Sequence, residues 1–529
     1  MLYKDKIKFN LDLEGFGSDN ILKKEHNEKS KENKKEDTNN HVISEKETER
    51  NRLLAEIKRL KEENPNLSFE QWSATLIEKR LKLYDKVKEY FPSISLPLDF
   101  ALSIKTILNI QDITIPFMGI LFAVPSSLKT QVFEMFWKWI YTYFTDKFTS
   151  KSFVSHSATV KKEKLSEVDM LPRIKDKFLL TPELSPLFTG KDDDIREQFG
   201  IITRVLDGKG LETESGVHGQ RGYHGNYMFT WLGAAVDIPY YVYKFLSTIG
   251  FKIYFLRLPR AQVTAEDLVD QLTSKKKFNE KIEEIQDLLF DYLKWFEICP
   301  FSVTRNNLVK IEWDTTKDDK NAIKIMAQLA LLLSHLRGHV YVSKTSSTDD
   351  FIPFDNNIQD NKNIISTAEF VHGIPVIEHP SRAAQQLYNL ARGHALSNGR
   401  NYITEDDISI VIKVVLSTGS IERVLVLDLL IANKGNLTTS QITTAMRISN
   451  STAKRTMTEF DGLELVTMER TGDYTNSEYK IMLNRKFDWF LGEEFERLRD
   501  GFKPTDNKDY IKTKEDSKEN IKDENNDNI

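Results

Sequence analysis

The chain has 529 residues and a formal net charge of -5, from 74 Lys and Arg against 79 Asp and Glu. That length exceeds one ordinary hydrophobic core and predicts on the order of two to four domains. The near balance of charge excludes a uniformly basic coat protein, so any anionic partner must be met by local positive surfaces. A single cysteine, Cys299, excludes a disulfide framework or a cysteine zinc site within the chain and fits a reducing cytoplasm.

Residues 17–46, within a tail read over 1–46, are mostly Lys, Glu, Asn, Asp and Ser, and the chain beyond about Lys503 has the same character. Such segments bury too little apolar surface to offset their chain entropy, which predicts disordered tails, the last one following a helix end within 491–529. The first ten residues lack the apolar run of a secretory signal. The most apolar stretch, Ile107–Val124, is interrupted by Gln111, Asp112 and Pro116 and reads as core, so no membrane association is expected.

A helical extension is predicted over 47–97. Leu53, Ile57 and Leu60 recur at helical spacing, as do Trp72 and Leu76, then Ile77, Leu81 and Tyr84. Pro65 separates two helices, and Pro92 and Pro97 close the unit. Residues 98–345 alternate short apolar runs with helical patterns, the signature of an α/β core with a mainly parallel sheet, its later part a helical insertion with a small strand near Val309–Trp313. A linker and helical lid follow over 346–418, and 419–490 read as helices followed by a two-stranded wing.

Within the α/β core, the apolar run Ile113–Val124 leads into Pro125-Ser126-Ser127-Leu128-Lys129-Thr130 and then an amphipathic helix from Gln131 to about Thr145. Strand, tight loop, Lys-Thr and helix is the context in which backbone N–H groups and a helix N-terminus bind phosphate oxygens. In that reading Ser126 and Ser127 lie in the cradle, Lys129 reaches the terminal phosphates, and the Thr130 hydroxyl holds Mg²⁺ carried by the nucleotide. An intact loop reads G-x-x-x-x-G-K-[ST]; here Ala123 and Leu128 occupy the two glycine positions. Leu128 puts a bulky side chain where the backbone must approach phosphate. An ordinary helix start with a serine cap would give the same residues.

Lys177–Glu183 is an apolar strand ending in an acid, the place where phosphate-loop enzymes keep the residue that polarises water. Glu183 fits that part, whereas Pro182 stands where a second carboxylate usually helps hold the metal. Asp194–Leu206 reads as a helix. A glycine-rich hairpin is expected over about Leu211–Tyr227, and an apolar strand, Tyr227–Ala235, ends in Ala235 where a polar residue would orient water.

This order of features resembles the AAA+ P-loop ATPases, and among them the minichromosome-maintenance (MCM) helicases. The stretches Thr181-Pro182-Glu183-Leu184, Thr203–Gly208 and Gly216–Tyr223 are similar to a family of archaeal and mobile-element AAA+ proteins with a C-terminal winged helix, in which the loop before Lys-Thr normally keeps its glycine. The fold implied is α/β: an AAA+ P-loop core, a helical lid and a winged helix-turn-helix. The resemblance implies ATP and Mg²⁺ as cofactors. It also implies that Lys252 and Arg257, ahead of Arg260, supply a basic finger to a neighbour's nucleotide. Arg382, opening the lid at His379–Leu387, would touch the γ-phosphate. Arg221, near a hairpin tip with His218 or His224, would face DNA. The two histidines lack further ligands at suitable spacing for a metal site.

Toward the C-terminus, Ile421–Ala432, Thr438–Met446 and Asn450–Phe460 read as three helices. Ala453, Met457 and Phe460 mark one buried face of the third, leaving Lys454 and Arg455 for phosphates or base edges. Leu465–Arg470 and Glu478–Leu483 form the wing around a turn at 471–473. A winged helix of this kind can also bind protein.

The implied function is an ATP-dependent motor or remodeller acting on DNA as a homo-oligomeric, hexameric ring. It would be cytoplasmic and nucleoid-associated, working with replication or mobile-element proteins. Leu128, Pro182 and Ala235 favour an alternative, a pseudo-ATPase that keeps the fold as a DNA-binding regulator or accessory subunit. A third reading is an interaction scaffold built on the extension and tails.

Overall fold

The computed structural model describes residues 47–504 except 126, 128, 148, 156–160, 216–218, 251, 260–263, 275, 301, 306–307, 345–369 and 472–477. The chain divides into two compact units, residues 1–59 and 60–529. The expected disordered tails, most of the linker, Ser126, Leu128, His218, Arg260 and the wing turn at 472–473 lie outside the described residues.

Helix α1 runs over 47–63, and Pro65 falls in the break before α2 (Phe69–Tyr90), as expected. A capping box between Ser68 and Gln71 starts α2. Its buried face is Trp72, Leu76, Leu83 and Val87, while Ile77 and Leu81, expected inside, are 40% and 57% exposed. Trp72 and Trp295 each donate an indole N–H to the other's backbone carbonyl, which fixes the stripe. Pro97 lies within the first turn of α3 (Ser95–Ile107), where a missing N–H costs little.

The sheet begins with β1 (Phe117–Phe122), buried along its whole length, as a central parallel strand must be. After it come α4 (Lys129–Phe136), β2 (Thr142–Phe144), α5 (Leu165–Val168), α6 (Met170–Ile174), β3 (Phe178–Thr181) and α7 (Asp192–Val205). The helix expected to run from Gln131 to Thr145 stops at Phe136. Tyr141 to Phe144 are aromatic or β-branched, and Thr142–Phe144 pair with Phe178–Leu180, so tertiary pairing overrides the helical spacing. Three aspartates open α7 and Arg204 lies in its last turn, matching the helix dipole.

The hairpin β4 (Gly210–Ser215) and β5 (Gly219–His224) follows, then β6 (Thr230–Ala235), α8 (Tyr240–Ile249) and β7 (Ile253–Arg257). The main sheet has the order β2-β3-β6-β1-β7, and each neighbouring pair is parallel. The register brings Phe122 beside Ala235 and Arg257, and Thr181 beside Gly233, so the carboxyl ends of four strands meet at one edge. In open parallel sheets that edge is where ligands bind. A Cβ at Gly119 would lie 2.5 Å from Ile104 and 2.7 Å from Phe100, which shows how closely α3 covers β1.

Helices α9 (Ala265–Thr273) and α10 (Phe278–Phe296), the hairpin β8 (Ser302–Arg305) with β9 (Leu308–Ile311), and α11 (Lys320–Leu336) form the mainly helical section expected after the core. A short pair, β10 (Val342–Lys344) and β11 (Phe370–His372), precedes α12 (Ser381–Ser397) and α13 (Ile408–Thr418). Gly399, at φ +75°, lies just past the end of α12. The expected Thr404–Asp407 capping box is present and leads through a 3-10 turn into α13.

The chain then forms α14 (Ile421–Ala432), β12 (Asn436–Thr438), α15 (Thr439–Met446) and α16 (Asn450–Gly462). After them come β13 (Val466–Thr471), β14 (Glu478–Leu483) and α17 (Glu493–Arg499). Strands β12, β14 and β13 make a three-stranded antiparallel sheet. No helix among the described residues is long and apolar enough to cross a membrane.

Candidate functional site

The carboxyl edge of the sheet gathers the first group of candidates. The Lys129 ammonium donates to the carbonyls of Ala123 (3.0 Å) and Ala235 (3.1 Å), so it bridges the ends of β1 and β6. Burial pulls its pKa down, and the nearby Glu183 carboxylate partly offsets that. Two of its three protons are thus held by carbonyls and the third remains for an anion. The turn after β3 is pinned by Leu184 N–H donating to Ala234 O at 2.7 Å, which sets Glu183 beside the end of β6. The exposed Glu183 side chain accepts from Ser185 N–H at 2.8 Å.

Around Lys129, polar groups are buried without partners among the described residues: Ser127 Oγ, Gln131 Oε1 and Arg257 Nε. Unsatisfied buried groups cost free energy and point to a ligand that completes them. A phosphate can accept from Lys129, Ser127 and Arg257, whereas Gln131 Oε1 accepts and would need a donor from elsewhere on the ligand. Thr130 is exposed at the start of α4, where a hydroxyl could meet a cation. No group of three or more His, Cys, Asp or Glu that could hold a metal occurs among the described residues. Thr130 and Glu183 offer side-chain oxygens to a nucleotide-borne Mg²⁺, and the buried Pro182 adds none.

Arg257 lies at this same edge, stacked 4.9 Å over Phe122 and paired with Asp237 at 3.2 Å. Its side chain is 9% exposed, so it is no projecting finger. Sequence reasoning misses Asp237; an acid two residues beyond an apolar strand is the signal that could have found it.

The opposite, amino edge of the sheet holds the second group. Lys252 precedes β7 and donates to Thr203 O at 2.8 Å and Asp207 Oδ1 at 2.5 Å. Burial lowers its pKa, Asp207 raises it, and the nearby Arg382 guanidinium lowers it further. Arg382 is exposed and has no hydrogen bond or ion pair among the described residues. It faces a cleft of about 630 Å³ that it shares with Thr114, Asp207, Lys209, Lys252 and Gln386.

Arg382, expected at the γ-phosphate, and Lys129 therefore lie at opposite edges of the sheet within one chain. Thr114 precedes β1 and Lys129 follows it, so the six residues of that strand separate the two groups by about 17 Å. Lys252 keeps Arg382 company, whereas Arg257, the other expected finger residue, sits at the other end of β7. The candidate catalytic residues thus divide between the two edges: Arg257 with Glu183, and Lys252 with Arg382.

The hairpin also departs from expectation. Arg221 is not a projecting contact: its guanidinium binds the Asp169 carboxylate and the Ser155 carbonyl, and Tyr223 Oη donates to Asp169 Oδ2 at 2.6 Å. Asp169 is fully buried, so the pair clamps the shaft of the hairpin to the turn between α5 and α6. The tip, 216–218, lies outside the described residues, and His224 is exposed at the root.

In the C-terminal section, α16 buries Ala453, Met457 and Phe460, as its spacing predicts. Arg455 is exposed, and the Lys454 ammonium lies 5.1 Å over the Tyr479 ring of β14. Arg423 on α14 anchors α16 through Glu459 (2.6 Å) and caps α11 through the carbonyls of Leu336 and Gly338.

Residues 379–418, which contain α12 and α13, match the AAA lid domain family. No curated protein matches the chain. That lid and the five-stranded parallel sheet fit an AAA+ ATPase of α/β fold.

Proposed function

We propose that the chain is an ATP-binding AAA+ motor or remodeller of the MCM type, working on DNA as a ring in which each nucleotide lies between two copies. The observation that carries this reading is the division of the candidates between the two edges of one sheet. Lys129 and Glu183 occupy the carboxyl edge, and Arg382 with Lys252 the amino edge. Neither edge alone carries the full set. A head-to-tail ring brings the amino edge of one copy against the carboxyl edge of the next, as heterologous interfaces do.

Bound Mg-ATP would supply the phosphoanhydride and the charge that builds up on its γ-phosphate. Lys129 turns its free N–H toward those oxygens, Thr130 offers its hydroxyl to the cation, and Glu183 exchanges Ser185 N–H for the proton of a water. Arg382 of an adjoining copy adds positive charge where it accumulates, and Lys252 remains close behind it. The section 419–490 is read as a winged helix with α16 as its reader, Arg455 foremost. Arg455→Glu should weaken duplex binding and make its salt dependence shallower by about 0.9 in log K against log salt for each phosphate no longer neutralised.

A second reading, a DNA-binding regulator without turnover, draws on Pro182, Ala235 and the Glu183 carboxylate held by Ser185 N–H. Phosphate release measured with and without DNA separates the two. A wild-type rate above that of Glu183→Gln supports the motor, and equal rates support the regulator.

A further inference from the structure

With Arg221 clamped, the hairpin offers no free lysine or arginine among its described residues, and the charge lies at its root instead. The cleft under Arg382 continues, through Thr114 and Asn226 lining both, into a second cleft of about 130 Å³ bordered by Lys175, Asp176 and Lys310. The two form one groove along the amino edge of the sheet. Lys209 and Lys175 are exposed along it, and Lys310 is buried beneath with its ammonium on Leu108 O. Of the acids there, Asp207 is held by Lys252, and Asp176 stands beside Lys175 at the turn into β3. Lys175 lies 5.1 Å over the ring of Tyr227, which is itself 5.8 Å from Tyr223.

We propose that this root groove, from Lys209 across Asn226 to Lys175, binds single-stranded nucleic acid, with the two lysines on phosphates about three nucleotide steps apart and Tyr227 as a platform for a base. The pairing of a basic track with an aromatic face is what single strands, whose bases are free, can use. Lys209 follows Gly208, which abuts Thr114 and Pro116 ahead of β1; Lys175 leads into β3. Two strand spacings, about 10 Å, separate these places, the length of about three nucleotide steps at ~3.4 Å each. Gln386 Oε1, buried in the adjoining cleft without a partner, gives the groove an acceptor for a base amino group. The groove is distinct from α16 and from this chain's own phosphate loop; it runs on from the Arg382 cleft that the proposed ring turns toward the neighbouring copy, and it shares with that reading the premise of a nucleic-acid partner.

The test is fluorescence anisotropy of a labelled oligothymidylate of about twelve nucleotides, within the range such grooves occupy, titrated with the full chain over a series of salt concentrations. Lys175→Glu with Lys209→Glu should weaken binding at least about tenfold and make the log–log salt slope shallower by about 1.4, two single-strand phosphates. Both lysines are exposed, and a matched thermal midpoint verifies the fold. Tyr227→Ala should weaken binding with the slope unchanged, and Tyr227→Phe should retain it. Unchanged affinity in the double lysine variant, or no binding by wild type, overturns the groove. So does an affinity that falls only in a Lys454→Glu, Arg455→Glu variant, which would place the strand on α16 instead. Binding of a ribose-labelled ATP analogue, measured in parallel, tests the nucleotide reading on its own.

Discussion

In the lid, His394 sits between two carboxylates, 3.3 Å from Asp99 on α3 and 2.7 Å from Asp407, and Arg400 closes on that same Asp407 at 2.8 Å. In the segment after β1, Ser127 Oγ and Gln131 Oε1 are buried with nothing to bond among the described residues. The first region answers its charges internally and is finished without a ligand. The second leaves polar groups waiting and needs one. The contrast separates what holds the core together from what is proposed to read a nucleotide: a satisfied network fixes geometry, and an unsatisfied one leaves room for a ligand.

The largest effect should come from breaking the lid network. Asp407→Ala leaves His394 with Asp99 alone, takes the carboxylate from the half-buried Arg400 and removes the acceptor of Thr404 N–H, which predicts a loss of about 3 kcal/mol in a urea titration. A loss below about 1 kcal/mol would mean that water already reaches the site.

The same network makes stability depend on pH. Burial opposes the charge on His394, but Asp99 and Asp407 prevail and push it up to about 9, from an ordinary value of 6.5. Its pKa is raised on folding, so its contribution is complete below about pH 6.5 and is lost as pH rises through about 9. The loss across that window is at most about 3 kcal/mol. Urea midpoints that fall over this range in wild type, and far less in His394→Gln, are the expected result.

A smaller effect is expected at the contact between α3 and α12. A Cβ on Gly393 would lie 2.2 Å from the Ser103 carbonyl oxygen, and Thr106 Oγ1 already donates to Gly393 O at 2.6 Å. Gly393→Val should cost about 1–3 kcal/mol by overpacking. On the other side of the comparison, Leu128→Gly should tighten nucleotide binding by about tenfold, since a glycine lets backbone approach phosphate. Titration with a ribose-labelled ATP analogue reads it, and an unchanged affinity would mean that Leu128 does not limit entry.

How much of this is legible in the sequence follows the range of the interactions involved. The buried strand Phe117–Phe122 sits inside its predicted apolar run, and α14 begins and ends where its pattern says, because local composition decides both. The capping box at Thr404 and Asp407 is likewise visible. The strand at Thr142–Phe144 is not, since its pairing with β3 comes from residues more than thirty positions away. Arg221 escapes the sequence for the same reason: the acid that clamps it, Asp169, is 52 residues earlier. The resemblance points to Lys129 and Arg382 but cannot say that β1 lies between them. The cleft that joins Arg382 to Lys252 exists only once the sheet has formed.

The account rests on a nucleotide shared between copies, and mixing subunits tests that most directly. Lys129→Ala and Arg382→Ala should each bind the ATP analogue poorly when alone. Mixed in equal amounts before assembly, they should regain about a quarter of the wild-type high-affinity sites, the fraction of head-to-tail interfaces that unite an intact Lys129 with an intact Arg382. A mixture that binds no better than the average of the two variants, or an Arg382→Ala protein that binds as wild type does, would contradict it.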